Sequence, residues 1–316
     1  MQDRVKLLGL AIIALVFAGL FIGLGLNADN YQYFLSRRVP KVLAMILAGV
    51  AIGQSALAFQ TITNNRILTP SIMGFDALYM FTQTVVVVLF GGLSSYVLND
   101  YLNFALSVSV MLGFSVLLFS FYFRGSKQNL MMLLLLGVIL GQLFGSISSF
   151  LTMLLDPNDF AALQDSMFAS FNNIKVELVY LCTPILMVIS ALLFRLNRVL
   201  DVFWLDKDNA TSLGIDVKRV TMQVLMLSAC LIAISTALIG PIMFFGLLVT
   251  NLTREMLRSY QHRVLLLGVS LLSVASLLAG QWIVENLFGF STTLSVVINF
   301  IGGIYFLSML LRNKIV

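Results

Sequence analysis

The stretch Ile239-Gly240-Pro241-Ile242-Met243-Phe244-Phe245-Gly246 lies inside a 34-residue interval, 220–253, that carries no charge. About 20 apolar residues suffice for a helix to cross about 30 Å of hydrocarbon. The interval is therefore long for one span, and Gly240-Pro241 is the place to break it. Proline lacks the backbone donor and clashes with the preceding turn, so a helix running through residue 241 is disfavoured. Reading two helices here, rather than one, inverts the orientation of everything that follows.

Working outward, the other charge-free intervals are 7–28, 42–65, 77–99, 101–123, 128–155, 178–194, 264–284 and 286–311. A charge at a span centre costs about 2.5–3.5 kcal/mol, so these gaps bracket the spans. With Gly240-Pro241 as a break there are ten helices and both termini are cytoplasmic. Fifteen of the 19 Lys and Arg residues then face the cytoplasm, leaving Arg37, Arg38, Lys41 and Lys175 outside. With nine helices the division is 10 to 9, which the positive-inside rule disfavours. The 316 residues are 59% hydrophobic and 10% charged, against about 25% charge in soluble domains. The chain therefore reads as one all-α polytopic membrane domain, 1–316, with about ten transmembrane helices. The basic start and the charge-free run 7–28 are read as a retained first span, since a signal core is only about 7–15 residues long. No basic cluster interleaved with aromatics suggests nucleic acid.

Within this frame, Ser36-Arg37-Arg38-Val39-Pro40-Lys41 is an exception, because it places three cations outside. Snorkelling anchors at the lipid boundary would explain them; so would docking of an acidic partner. Pro40 suits the first turn of the second helix. In the fifth span Gly137, Gly141, Gly145 and Ser149 recur every four residues, with Gln142 and Ser146 beside them. Such a stripe admits close helix packing or borders a polar path. The loop 195–219 sets Phe203, Trp204 and Leu205 among charges, as a partner surface or an interfacial helix would. Cys182 and Cys230 read as packing residues and His262 as a solvated loop residue. The ionisable residues Asp76, Asp100 and Glu285 fall at span ends, which weakens proton-coupled transport and intramembrane hydrolysis. No GxxxxGK[ST] phosphate loop is present, so ATP hydrolysis would belong to another chain.

These segments resemble the FecCD-type permeases of bacterial ABC importers for ferric siderophores, haem and vitamin B12. Arg38-Val39-Pro40-Lys41 matches the family's R-x-P-R-like opening of the second helix. Gln60, the run Asn64-Asn65-Arg66-Ile67-Leu68-Thr69-Pro70 and Ile72-Met73-Gly74 follow its N-P-L-A-x-P-x-x-L-G pattern. Ala210, Leu213, Gly214 and Ile215 match A-x-x-L-G-[IV]. Gly240, Ile242, Phe244, Gly246 and Leu247 match G-x-I-x-F-x-G-L, with Pro241 inside it. The departures are Val249-Thr250-Asn251 where a Pro-His pair is usual, Gly280 and Val284 or Glu285 in place of an Asp and an Arg, and STTLSV at 291–296 for P-x-G.

The resemblance implies a type II importer architecture in the bacterial inner membrane. Arg37, Arg38, Lys41 and Glu285 would meet an extracytoplasmic siderophore-binding protein. Phe203, Trp204, Leu205, Ala210, Leu213, Gly214 and Ile215 would couple to two ATPase subunits. Gln60, the stripe of the fifth span, Gly240, Pro241, Phe244 and Gly246 would border the path or pack helices beside a second permease chain, identical or different. The chain would bind no metal or cofactor of its own; ATP and Mg would be used by the ATPase. Rival readings are a secondary, ion-coupled carrier, an importer of haem or vitamin B12, and a non-transporting anchor.

Overall fold

The computed structural model describes residues 2–24, 31–124, 130–172, 174–204, 207–289 and 292–313. Its helices are α1 (Gln2–Gly23), α2 (Tyr31–Thr63), α3 (Phe75–Phe90), α4 (Ser95–Leu98), α5 (Asp100–Arg124), α6 (Leu130–Thr152) and α7 (Pro157–Met167). They continue with α8 (Val176–Arg195), α9 (Asn197–Phe203), α10 (Lys207–Ser212), α11 (Val217–Ile239), α12 (Phe245–Met256), α13 (His262–Asn286) and α14 (Leu294–Asn313). Among the described residues seven helices are long and apolar enough to cross a membrane, namely α1, α2, α5, α6, α8, α11 and α13. The apolar segments Phe75–Phe90 and Leu294–Met309 are shorter. With α12 they complete the ten expected.

The break at Gly240-Pro241 is where the sequence places it. Gly240 has φ +90, and a Cβ there would lie 2.8 Å from the Cα of Ala169. The turn is thus pressed against the outer segment after α7, and Ser170 N donates to Ile239 O at 2.9 Å. The helix that follows has only 12 residues, about 18 Å at 1.5 Å per residue. The loop 240–244 precedes it and turns at Met243-Phe244.

Helix α2 forms the centre. Most of its apolar stretch, 83%, is buried, against 17% for α1. It packs on α13, α11, α8, α12 and α1. Small residues make this possible: Ala44, Ala48, Ala51, Ala56 and Ala58 are buried along it. Apolar side chains that no helix covers, such as Leu15, Leu117, Met132, Met187 and Phe300, form the exposed outer surface, as expected where lipid is the solvent.

Three features differ from the sequence reading. Helix α2 begins at Tyr31, so Pro40 stands inside it, not in its first turn. The helix has 33 residues, about 50 Å; its first turns therefore project beyond the hydrocarbon, where water can satisfy a carbonyl freed by proline. An additional outer helix, α7, starts with Pro157 after the extended Asp156. His262 is buried, not solvated: its Nδ1 lies 2.8 Å from Asp201 Oδ1 and its Nε2 lies 2.8 Å from Thr61 Oγ1. It joins α9, α2 and α13 at the cytoplasmic end. Asp76 is in the first turn of α3 but, unlike a residue at an open span end, is only 3% exposed.

Candidate functional site

At the outer rim, Arg37, Arg38, Lys41 and Glu285 gather with Asn172 around one cavity of about 210 Å³. Their arrangements are not equivalent. Arg37 is exposed, with its guanidinium 5.7 Å from the centre of the Tyr33 ring. Arg38 Nη1 donates to Ile22 O at 3.2 Å and to Leu24 O. Those carbonyls end α1 and have no partner within it, so Arg38 caps that helix. Lys41 Nζ donates to Asn172 Oδ1 at 2.7 Å and to Glu285 Oε1. Gln281 Nε2 donates to the same two acceptors, at 3.0 and 2.8 Å. This knot ties α2, the outer segment before α8 and α13 together.

Asn172 and Gln281 were absent from the sequence reading. Neither belongs to a local pattern, since one is a loop amide and the other a lone amide in an apolar span.

At the cytoplasmic face, the A-x-x-L-G-I stretch has a specific geometry. Ile215 N donates to Ala210 O at 3.1 Å and Gly214 N to Thr211 O at 2.9 Å. Gly214 has φ +83. This pair of bonds is a Schellman cap at the end of α10, with glycine in the left-handed position that a side chain disfavours. The cap buries Ala210 and leaves Leu213 64% exposed. The motif is therefore a device for presenting one leucine. Phe203 is buried beneath it, whereas Trp204 is 40% exposed. Ile215 is half-buried. Leu205 lies outside the described residues.

The stripe on α6 divides into two faces. Gly137 and Gly141 are buried against Met73 and Gly74. Gly74 has φ +91, and a Cβ on it would stand 2.7 Å from Gly141 Cα. Here the glycines serve backbone packing. Gln142, Ser146 and Ser149 are exposed; their spacing puts them on one face of the helix. Gly145, half-buried, has nothing within 4 Å of an added Cβ. Three polar side chains uncovered on a membrane helix suit water or a protein neighbour better than lipid.

The remaining residues of this group hold helices together. Gln60 is 1% exposed, and its Nε2 donates to Arg66 O and to Thr250 Oγ1 at 2.8 and 2.9 Å. Asn251 Nδ2 reaches Arg66 O at 3.1 Å, so Thr250-Asn251, a departure from the family pattern, secures the inner end of α2. Gly246 lies against Ala56. Pro241 is half-buried, and the Phe244 ring sits 6.0 Å from that of Phe306.

Comparison with known proteins gives one consistent answer. A family model described as the FecCD transport family matches residues 6–312. The petrobactin import system permease protein YclO of Bacillus subtilis is 47% identical, with 99% of each chain covered. The petrobactin permease FatC of Bacillus anthracis is 33% identical over 96% of this chain and 89% of its own. A transporter of the "metal-chelate type", solved in an inward-facing conformation, superposes with TM-score 0.84 at 24% identity, covering 98% of this chain and 99% of that one.

Proposed function

This chain belongs to the FecCD transport family, and on that premise we propose that it is the permease subunit of an ATP-driven importer for a ferric siderophore of the petrobactin kind. The observation that carries this reading is the 47% identity to a petrobactin import permease across 99% of both chains. The two ends of the molecule support it. The outer rim offers the exposed cation Arg37 beside a polar cavity, and a binding protein would dock there with acidic side chains. Opposite charges at such a rim speed encounter and fix orientation. The inner face offers Leu213 on a rigid cap, and an ATPase subunit would receive it in an apolar groove. ATP would be hydrolysed in that subunit, with Mg as the ion that accompanies its phosphates. The polar face Gln142, Ser146 and Ser149 would border the path where a second permease chain, identical or different, closes it.

Uptake of radiolabelled iron as ferric petrobactin, in iron-starved cells lacking this chain, tests the reading. Uptake is expected to vanish on deletion and to return with the native chain. Unchanged uptake of ferric petrobactin and of other ferric chelates after deletion would overturn the substrate class.

A further inference from the structure

A second cavity, of about 470 Å³, opens at the cytoplasmic end between α12, the α12–α13 loop and α14. Arg66, Arg254 and Arg258 line it around Trp204. The guanidinium of Arg254 lies 4.7 Å from the Trp204 ring centre and that of Arg66 lies 5.7 Å away. Among the described residues neither arginine forms a salt bridge. Arg254 Nε and Nη2 are buried without a hydrogen-bond partner among the described residues. Leaving charged donors buried and unmet in this way is unfavourable, and an anion would relieve it. Two cations converging on one ring also repel each other, which an anion between them would reverse. Glu255, the carboxylate in the lining, is exposed and accepts from Tyr305 Oη at 3.4 Å.

We propose that this cavity holds the phosphate of an anionic phospholipid from the cytoplasmic leaflet. Its mixed basic, aromatic and apolar lining favours a lipid headgroup over an acidic protein side chain. Basic cavities between membrane helices on this side suit anionic headgroups. Trp204, Tyr260 and Tyr305 are the aromatic types that sit at headgroup level. The buried Leu257 and Leu265 and the half-buried Met309 form an apolar floor, against which a glycerol backbone would rest. Arginine forks match phosphate oxygens in two-point contacts. Because Trp204 closes α9, against which α10 packs, the bound headgroup would steady the base of the coupling loop.

Native mass spectrometry of the full chain in neutral detergent tests this, with dioleoyl phosphatidylglycerol and dioleoyl phosphatidylcholine as probes. The native chain is expected to retain the glycerol lipid about tenfold better. Arg66→Gln/Arg254→Gln should lose that preference, while Arg198→Gln/Arg219→Gln, also cytoplasmic, should keep it. Arg66→Lys/Arg254→Lys, which preserves charge, should retain part of it and guards against misfolding as the cause. Soluble glycerol phosphate at millimolar concentration should not displace the lipid; displacement would assign the site to free phosphate and overturn the lipid source. Equal retention of both lipids by the native chain would overturn the proposal. So would an unchanged preference in the glutamine variant, even if that variant failed to assemble with its ATPase.

Discussion

At the outer rim Lys41 and Glu285 meet each other, and Asn172 and Gln281 fill the remaining hydrogen-bonding positions between them. At the inner rim Arg66 and Arg254 lean on Trp204 and meet no carboxylate among the described residues. Both clusters lie where helices leave the hydrocarbon, yet one is neutralised within the chain and the other is not. A neutralised knot holds elements in place at little cost to the membrane boundary. It also leaves the neighbouring Arg37 as the exposed cation that a transient partner can meet. Among the described residues, the inner cluster is left without an anion that neutralises it.

The contrast can be broken from several sides. The largest effect is expected at His262, the inner group whose polar contacts are met within the chain. It is fully buried and in hydrogen-bonding contact through both ring nitrogens. His262→Ala should cost about 3 kcal/mol, combining a cavity with orphaned partners, read as a lower thermal midpoint in detergent. Next is the outer knot. Lys41→Ala leaves Glu285 unpaired at 19% exposure. A loss of about 2 kcal/mol is expected, less than for a fully buried pair. Lys41→Ala/Glu285→Ala should recover at least half of it. A double variant no better than the single would mean that the knot is not a coupled unit.

Function sharpens the same comparison. Leu213→Glu should lower ferric petrobactin uptake about tenfold, equivalent to about 1.4 kcal/mol, with the amount in the membrane unchanged. Normal uptake by this variant would remove the leucine from coupling. Arg37→Glu should lower uptake about threefold at low ionic strength and less at high, because an exposed rim charge is screened by salt. An effect insensitive to salt would point to a packing defect instead.

Much of the frame was legible in residues 220–253 and in the cations around them. Hydrophobic length, the Gly240-Pro241 break and the inward bias of Lys and Arg are local or additive quantities, so they yield helix count and sidedness without a fold. The Schellman cap was legible only as the A-x-x-L-G-[IV] match at 210–215, which says neither that a helix ends there nor which side chain the end exposes. The α6 stripe was legible as a stripe but not as two faces, since the close approach of Gly74 depends on where α3 begins. His262 misled because its flanking charges, Arg258 and Arg263, suggest a loop. Its partners Asp201 and Thr61 are 61 and 201 residues away.

By itself, then, the sequence determined a ten-helix membrane protein, its orientation, the site of its one long-interval break and its resemblance to importer permeases. These follow from the cost of placing charge and unpaired backbone in hydrocarbon, which each segment meets on its own. Tertiary structure alone decided which cations are spoken for. Lys41 and Glu285 are 244 residues apart, Arg38 is turned back onto the end of α1, and Arg66 and Arg254 share Trp204. Such partnerships depend on helix packing around α2, and no local pattern of residues encodes them.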